Sequence, residues 1–193
     1  MKRVCVFSGS SPGSRPEYGA AARELGRLLV EQNLQVVYGG ANVGLMGALA
    51  DAVLEAGGTV VGVIPRGLIH KEVAHKRLTE LHVVSSMHER KTKMEALSDA
   101  FVALPGGFGT LEETLEILTW GQLGIHTKPC GLLNVAGYYD PLLEFLNHAC
   151  AEQFLRPQHR DMLCVATTPD ALLIQLHSYQ PPTSEKWIDR ADT

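Results

Sequence analysis

Apolar residues along this chain come in short continuous runs, separated by stretches in which they recur at helical spacing. Val4, Cys5, Val6 and Phe7 open the series, and similar runs return at 34–38, 59–64, 81–84, 100–104, within 128–134 and at 163–166. Each run is too short for a helix and most are bounded by Gly, Pro or Ser, so each predicts a strand buried on both faces. Between them, positions such as Ala21, Leu25, Leu28 and Leu29, or Leu111, Leu115 and Leu118, mark one face of a helix. Helices are expected from about Pro16, up to Glu55 with Gly57 and Gly58 as its cap, from Ser86, up to about Gln122, over 139–154, and from Thr168. Residues 66–78 follow neither period and predict an irregular loop. Strand–helix alternation with continuously apolar strands means an α/β fold, a Rossmann-like doubly wound parallel sheet of about seven strands with right-handed crossovers. Residues 1–180 are read as one domain, and the polar, Pro-rich 181–193 as a mobile C-terminal tail.

In such sheets ligands bind beyond the carboxyl ends of the strands. Four stretches fall on that edge by chain order. Residues 8–14 read Ser-Gly-Ser-Ser-Pro-Gly-Ser, a turn open to close backbone approach. Residues 39–47 read GGANVGLMG, which satisfies neither the Walker A loop nor G-x-G-x-x-G, and either packs a helix tightly on the sheet or meets a ligand. Ser86 followed by Glu89 reads as a capping box, which puts Arg90 and Lys91 in or just past a first helical turn. Cations there oppose the helix dipole; a bound anion would offset that cost, and two solvated charges are the alternative.

The fourth stretch, PGGFGTLEE at 105–113, carries most chemistry. Gly106, Gly107, Phe108, Gly109 and Thr110 offer successive amides before a helix start, an anion nest, and the phosphate reading is preferred over a tight turn with Thr110 as N-cap. Glu113 stands evenly between two roles: partner of Thr110 in a capping box, or a carboxylate set beside the bound group. Glu112 is the less favoured catalyst. If the fourth and fifth strands are neighbours, Arg90 and Glu113 share one crevice.

Composition narrows the partners. The chain has 193 residues, 45% hydrophobic and 20% charged, with a formal net charge of -4. No global basic field exists to hold a nucleic acid polymer or a membrane, so an anionic ligand must be met locally. Cys5, Cys130, Cys150 and Cys164 are scattered without ligand spacing, and HKEVAH at 70–75 is not H-E-x-x-H, so no metal site is expected. The first apolar run is too short for a signal peptide, and a reducing, cytoplasmic setting is expected.

Taken together, the motif at 105–113, the preceding MHERK at 87–91, the glycine loop at 39–47 and the Ser8 turn resemble the Lonely Guy (LOG) family. These are cytokinin riboside 5′-monophosphate phosphoribohydrolases, some long labelled lysine decarboxylases. The likeness runs over about 3–175. The resemblance implies hydrolysis of the N-glycosidic bond of a purine nucleoside 5′-monophosphate, a cytokinin riboside monophosphate or AMP, to free base and ribose 5-phosphate. It implies Arg90 and Glu113 as the catalytic pair. Lys91 and residues Gly107, Phe108, Gly109, Thr110, Leu111 and Glu112 would hold the nucleotide, chiefly its phosphate, while Glu72 and Thr119 match further substrate contacts. It requires no cofactor or metal and implies at least a homodimer. Two competing readings are a nucleotide-binding module without turnover and a pyridoxal-phosphate decarboxylase; the latter needs a Schiff-base lysine that nothing in the sequence marks.

Overall fold

The computed structural model describes residues 1–69 and 74–182. Seven parallel strands, β1 (Arg3–Phe7), β2 (Gln35–Tyr38), β3 (Val60–Pro65), β4 (Glu80–Val84), β5 (Ala100–Ala103), β6 (Cys130–Leu133) and β7 (Leu163–Ala166), form one sheet in the order β4-β3-β2-β1-β5-β6-β7. They are connected through α1 (Pro16–Glu31), α2 (Gly44–Glu55), α3 (Met87–Leu97), α4 (Phe108–Gln122), α5 (Asp140–Ala151), the short α6 (Pro157–Arg160) and α7 (Pro169–Ser178). The 3-10 turns Arg66–Leu68 and Val135–Gly137 complete the described elements.

Strand pleating explains why the apolar runs are continuous. In β1, Val4 and Val6 enter one core layer, with α1, α2 and α7, while Cys5 and Phe7 enter the other, with α3, α4 and α5. The same division separates Val102 from Phe101 and Ala103 in β5. The edge strand β4 departs from this pattern, because Leu81 and Val83 on it remain exposed.

Three expectations are corrected. The fourth and fifth strands are not neighbours: β4 is the sheet edge and β5 pairs with β1, Val4 facing Ala100. The crevice forms nonetheless, because α3 packs back across β3, β2 and β1 before the chain enters β5. Winding therefore reverses between β1 and β5, and the carboxyl ends of these two strands make the switch point at which such sheets bind ligands. There Gly9 N donates to Pro105 O at 3.0 Å and Leu45 N to Gly9 O at 3.0 Å, so the three loops after β1, β2 and β5 are fastened together.

The second correction concerns α4. It begins at Phe108 with Gly107 as N-cap, so Thr110 is the third helical residue and no capping box joins it to Glu113. The third concerns the helical face. α4 buries Thr110, Glu113, Thr114, Ile117 and Gly121, while of the expected stripe Leu111 and Leu118 are half-buried at the margin of the core and Leu115 is exposed, beside α5, which has no buried residue. α5 also ends at Ala151, short of the expected 154. The cap of α3 is half as expected: Ser86 Oγ accepts from Glu89 N at 3.1 Å, but the Glu89 carboxylate returns to Ser85 N at 2.7 Å rather than to Ser86. Glu72 and 183–193 lie outside the described residues.

Candidate active site

A cavity of about 300 Å³ opens at the switch point, lined by the ends of β1 and β2 and by the first turns of α3 and α4. Two charged side chains reach its floor. Arg90 Nη2 stands 3.4 Å from Glu113 Oε1, with side-chain exposures of 7% and 11%. Both groups sit in helices whose remaining inward faces pack on the sheet, which fixes their approach. Gly39 is what admits the guanidinium: a Cβ built there would lie 2.2 Å from Arg90 Nη2 and 2.6 Å from Met46 Cε. The glycine loop after β2 thus admits Arg90 through an absent side chain, while Gly44 and Gly47 of the same loop pack closely on Ser10 and Asn42.

Buried polar atoms normally find partners, and exceptions concentrate where a ligand or catalysis supplies the reason. Ser8 Oγ and Arg90 Nε are buried without a hydrogen-bond partner, and both residues line this cavity. Cys5, underneath, has its thiol pushed well up, first by burial and then by the Glu113 charge. It is an inert core residue.

The opposite wall is the turn into α4. The amides of Phe108, Gly109 and Thr110 belong to the first helical turn, which has no intrahelical acceptors to offer them. Built side chains at Gly107 and Gly109 would meet nothing within 4 Å, whereas one at Gly106 would lie 2.1 Å from Thr110 Oγ1. Gly106 is therefore a packing glycine, and Gly107 and Gly109 border open space. The Phe108 ring is 94% exposed, so this residue offers the cavity its backbone.

The other expected residues divide. Glu112 lines the cavity, and Lys91 Nζ bridges it to Glu116 at 2.5 and 2.9 Å across α3 and α4. Burial alone would lower the Lys91 ammonium, but its bonds to the two carboxylates outweigh that and raise its pKa. Leu111 and Thr119 are not brought to the cavity; Thr119 lines a separate groove of about 310 Å³ between α4 and α6 and donates to Leu115 O at 2.7 Å. A larger hollow of about 580 Å³, flanked by His88, Thr92 and Trp120, lies outside the Arg90–Glu113 pair and holds none of the loop amides. The chemistry selects the smaller one. Ser8, Gly39, Met46 and Met87 also line that cavity; each stood inside a stretch the sequence marks, the Ser8 turn, the 39–47 loop or the MHERK motif, without a role of its own.

A family model described as "Possible lysine decarboxylase" matches residues 46–176. The "Probable cytokinin riboside 5'-monophosphate phosphoribohydrolase LOGL5" of Oryza sativa subsp. japonica is 53% identical over 182 residues, covering 94% of this chain and 74% of the relative. The "Cytokinin riboside 5'-monophosphate phosphoribohydrolase LOG7" of Arabidopsis thaliana is 50% identical over 185 residues, covering 96% and 85%. The chain belongs to the Lonely Guy family. Among solved structures it is similar to the molybdenum cofactor binding protein of Rippkaea orientalis, at TM-score 0.69 and 23% identity over 92% of this chain and 97% of that one. The molybdenum cofactor carrier protein of Chlamydomonas reinhardtii aligns at 0.70 and 20%, over 93% and 99%. Those likenesses establish the shared fold.

The family's two labels make different demands on this Lonely Guy site. A pyridoxal-phosphate decarboxylase needs a lysine amine whose pKa is depressed enough to form a Schiff base. Among the described residues no lysine lines the cavity, and Lys91 beside it is held charged by two carboxylates. The described residues do not fit that cofactor. No group of metal-ligand side chains occurs among the described residues, and no helix there is long and apolar enough to cross a membrane.

Proposed function

We propose that this chain hydrolyses the N-glycosidic bond of a purine nucleoside 5′-monophosphate, a cytokinin riboside 5′-monophosphate or AMP, giving free base and ribose 5-phosphate. The observation that carries the reading is one cavity holding both a buried Arg90–Glu113 pair and the open amides before α4. The names of the relatives at about half identity support the same reaction.

In this mechanism the 5′-phosphate is held by the amides of Gly107, Phe108, Gly109 and Thr110, where the helix dipole favours negative charge. That remote contact positions C1′ over Glu113. As the bond from C1′ to the base nitrogen lengthens, positive charge develops on the sugar, and the Glu113 carboxylate stabilises it and orients water. The water oxygen adds to C1′, and one water proton ends on the departing base. Arg90 is a fixed cation with donors only, so its part is to orient the ribose and hold Glu113, not to supply the proton. Lys91 and Glu112 stiffen the rim, Leu111 backs the helix start, and Glu72 and Thr119 remain substrate contacts by family pattern.

The same proposal includes residues 1–180 as one domain acting in the cytoplasm, with a second copy of the chain as partner and neither nucleic acid polymer nor membrane required. Support for the second copy is the exposure of Leu115 on α4, Phe145 on α5 and Phe154 just beyond it. Thr119 lines the same groove as Leu115.

Incubation with AMP and with isopentenyladenosine monophosphate, followed by chromatography of the products, tests the reaction. Stoichiometric release of base and ribose 5-phosphate is expected. Tight nucleotide binding without base release would instead establish a binding module.

A further inference from the structure

We propose that Tyr138 is a positioning residue for phosphate recognition: its hydroxyl fixes the Gly106–Gly107 peptide plane and so aims the Gly107 amide into the active-site cavity. The inference rests on the phosphate reading of the loop and assigns a part to a residue outside its motif.

Three consecutive carbonyls in the turn after β5 are each held from behind. Tyr139 donates its hydroxyl to Leu104 O at 2.6 Å, Gly9 N donates to Pro105 O at 3.0 Å, and Tyr138 donates its hydroxyl to Gly106 O at 2.5 Å. A trans peptide is planar, with its C=O and N–H pointing opposite ways, and no cis peptide occurs here. Fixing the Gly106 carbonyl therefore fixes the direction of the Gly107 N–H. The cavities agree with that geometry: Gly106, Gly107 and Tyr138 line a second hollow of about 290 Å³ behind the turn, and of the two glycines only Gly107 also lines the active-site cavity in front. Glycines on both sides of this peptide leave its plane free to rotate unless something outside the turn holds it.

The clamp itself is firmly set. In the turn before α5, Ala136 and Gly137 adopt left-handed backbone at φ 51° and 72°, a conformation costly for alanine. Asn134 Oδ1 accepts from Tyr139 N at 2.7 Å, and the Tyr138 ring meets Tyr18 and Tyr139 edge-on, with centroids 5.7 and 5.0 Å away. Tyr139 supplies an internal control. Its acceptor belongs to the Leu104–Pro105 peptide, and proline has no N–H to aim.

Tyr138→Phe and Tyr139→Phe keep both rings. Calorimetric titration with ribose 5-phosphate is expected to show roughly 5- to 20-fold weaker binding in Tyr138→Phe, the size of one lost hydrogen bond. KM for AMP rises by a similar factor while kcat falls less than about threefold, because the loss is in binding rather than at C1′. Tyr139→Phe lowers the melting temperature but leaves the ribose 5-phosphate dissociation constant within about twofold. Unchanged ribose 5-phosphate binding in Tyr138→Phe, equal weakening by both variants, or no binding to the unaltered protein overturns the inference. Weakened binding in Tyr138→Phe alone, with no base released from AMP by the unaltered protein, leaves the positioning role standing and removes the hydrolase reading.

Discussion

At the scale of single residues, the site rests on two charges and one missing methyl group. Glu113 is not a helix cap, because the helix starts at Phe108 and its cap is Gly107. Its carboxylate is instead buried against Arg90. Glu113→Gln keeps the shape and removes the charge, so base release should fall by at least about a thousandfold while AMP still binds. Retained turnover, measured by the same chromatography, would reduce Glu113 to a structural residue. Gly39→Ala places a methyl where the Arg90 guanidinium lies. Overpacking of this kind costs about 1–3 kcal/mol in stability. The sharper consequence is loss of turnover as Arg90 is pushed from Glu113; a variant that melts slightly lower yet turns over normally would show that Arg90 can be reseated. The seat at Gly39 is not visible in the sequence, where Gly39 and Arg90 stand far apart, and the Glu113 spacing there imitates a capping box.

Elements decide how those residues meet. The sequence periods locate nearly every strand and helix, since continuous apolar runs and three-to-four spacing are local signals. They do not say which strand lies beside which. The Arg90–Glu113 pair exists because α3 recrosses the sheet and delivers the chain to β5 beside β1. At that junction Asp99 ties the entry of β1, accepting from Lys2 N at 2.5 Å and Arg3 N at 2.9 Å. Partial burial works against its charged form, but the two amides outweigh it and lower its pKa. A carboxylate depressed in the folded state contributes stability above its ordinary pKa near 4, and this is lost as pH falls through the lower folded value. Urea midpoints measured between pH 6 and 2 should therefore drop less steeply in Asp99→Asn than in the unaltered protein. Identical slopes would mean that the charge adds nothing to this anchor.

For the molecule as a whole, the outer face of α4 and α5 is the least expected result. The Leu111, Leu115 and Leu118 stripe has the spacing of a core-facing helix, yet the sheet receives the more polar Thr110, Glu113, Thr114 and Ile117 face. With Glu113 turned inward, Leu111 and Leu118 are left at the margin of the core and Leu115 outside it. Phe145 on α5 is 64% exposed. Apolar faces of this kind are covered in oligomers. Light scattering coupled to size-exclusion chromatography should give twice the chain mass, and Phe145→Glu should shift it toward one. A single-chain mass for the unaltered protein would exclude that interface.

The sequence by itself determined the class of fold, the places of its strands and helices, the sheet edge at which the cavity opens and the motifs that identify the family. All of these follow from local period, turn chemistry and residue type. Tertiary structure alone decided the strand order, the face that α4 buries, the seat for Arg90 at Gly39 and the tyrosine clamp behind Gly106. Each depends on contacts between segments distant in the chain, and a one-dimensional pattern carries no term for them. The glycine loop at 105–113 shows both sides: its amides are written in the sequence, and their direction is set by a tyrosine more than thirty residues away.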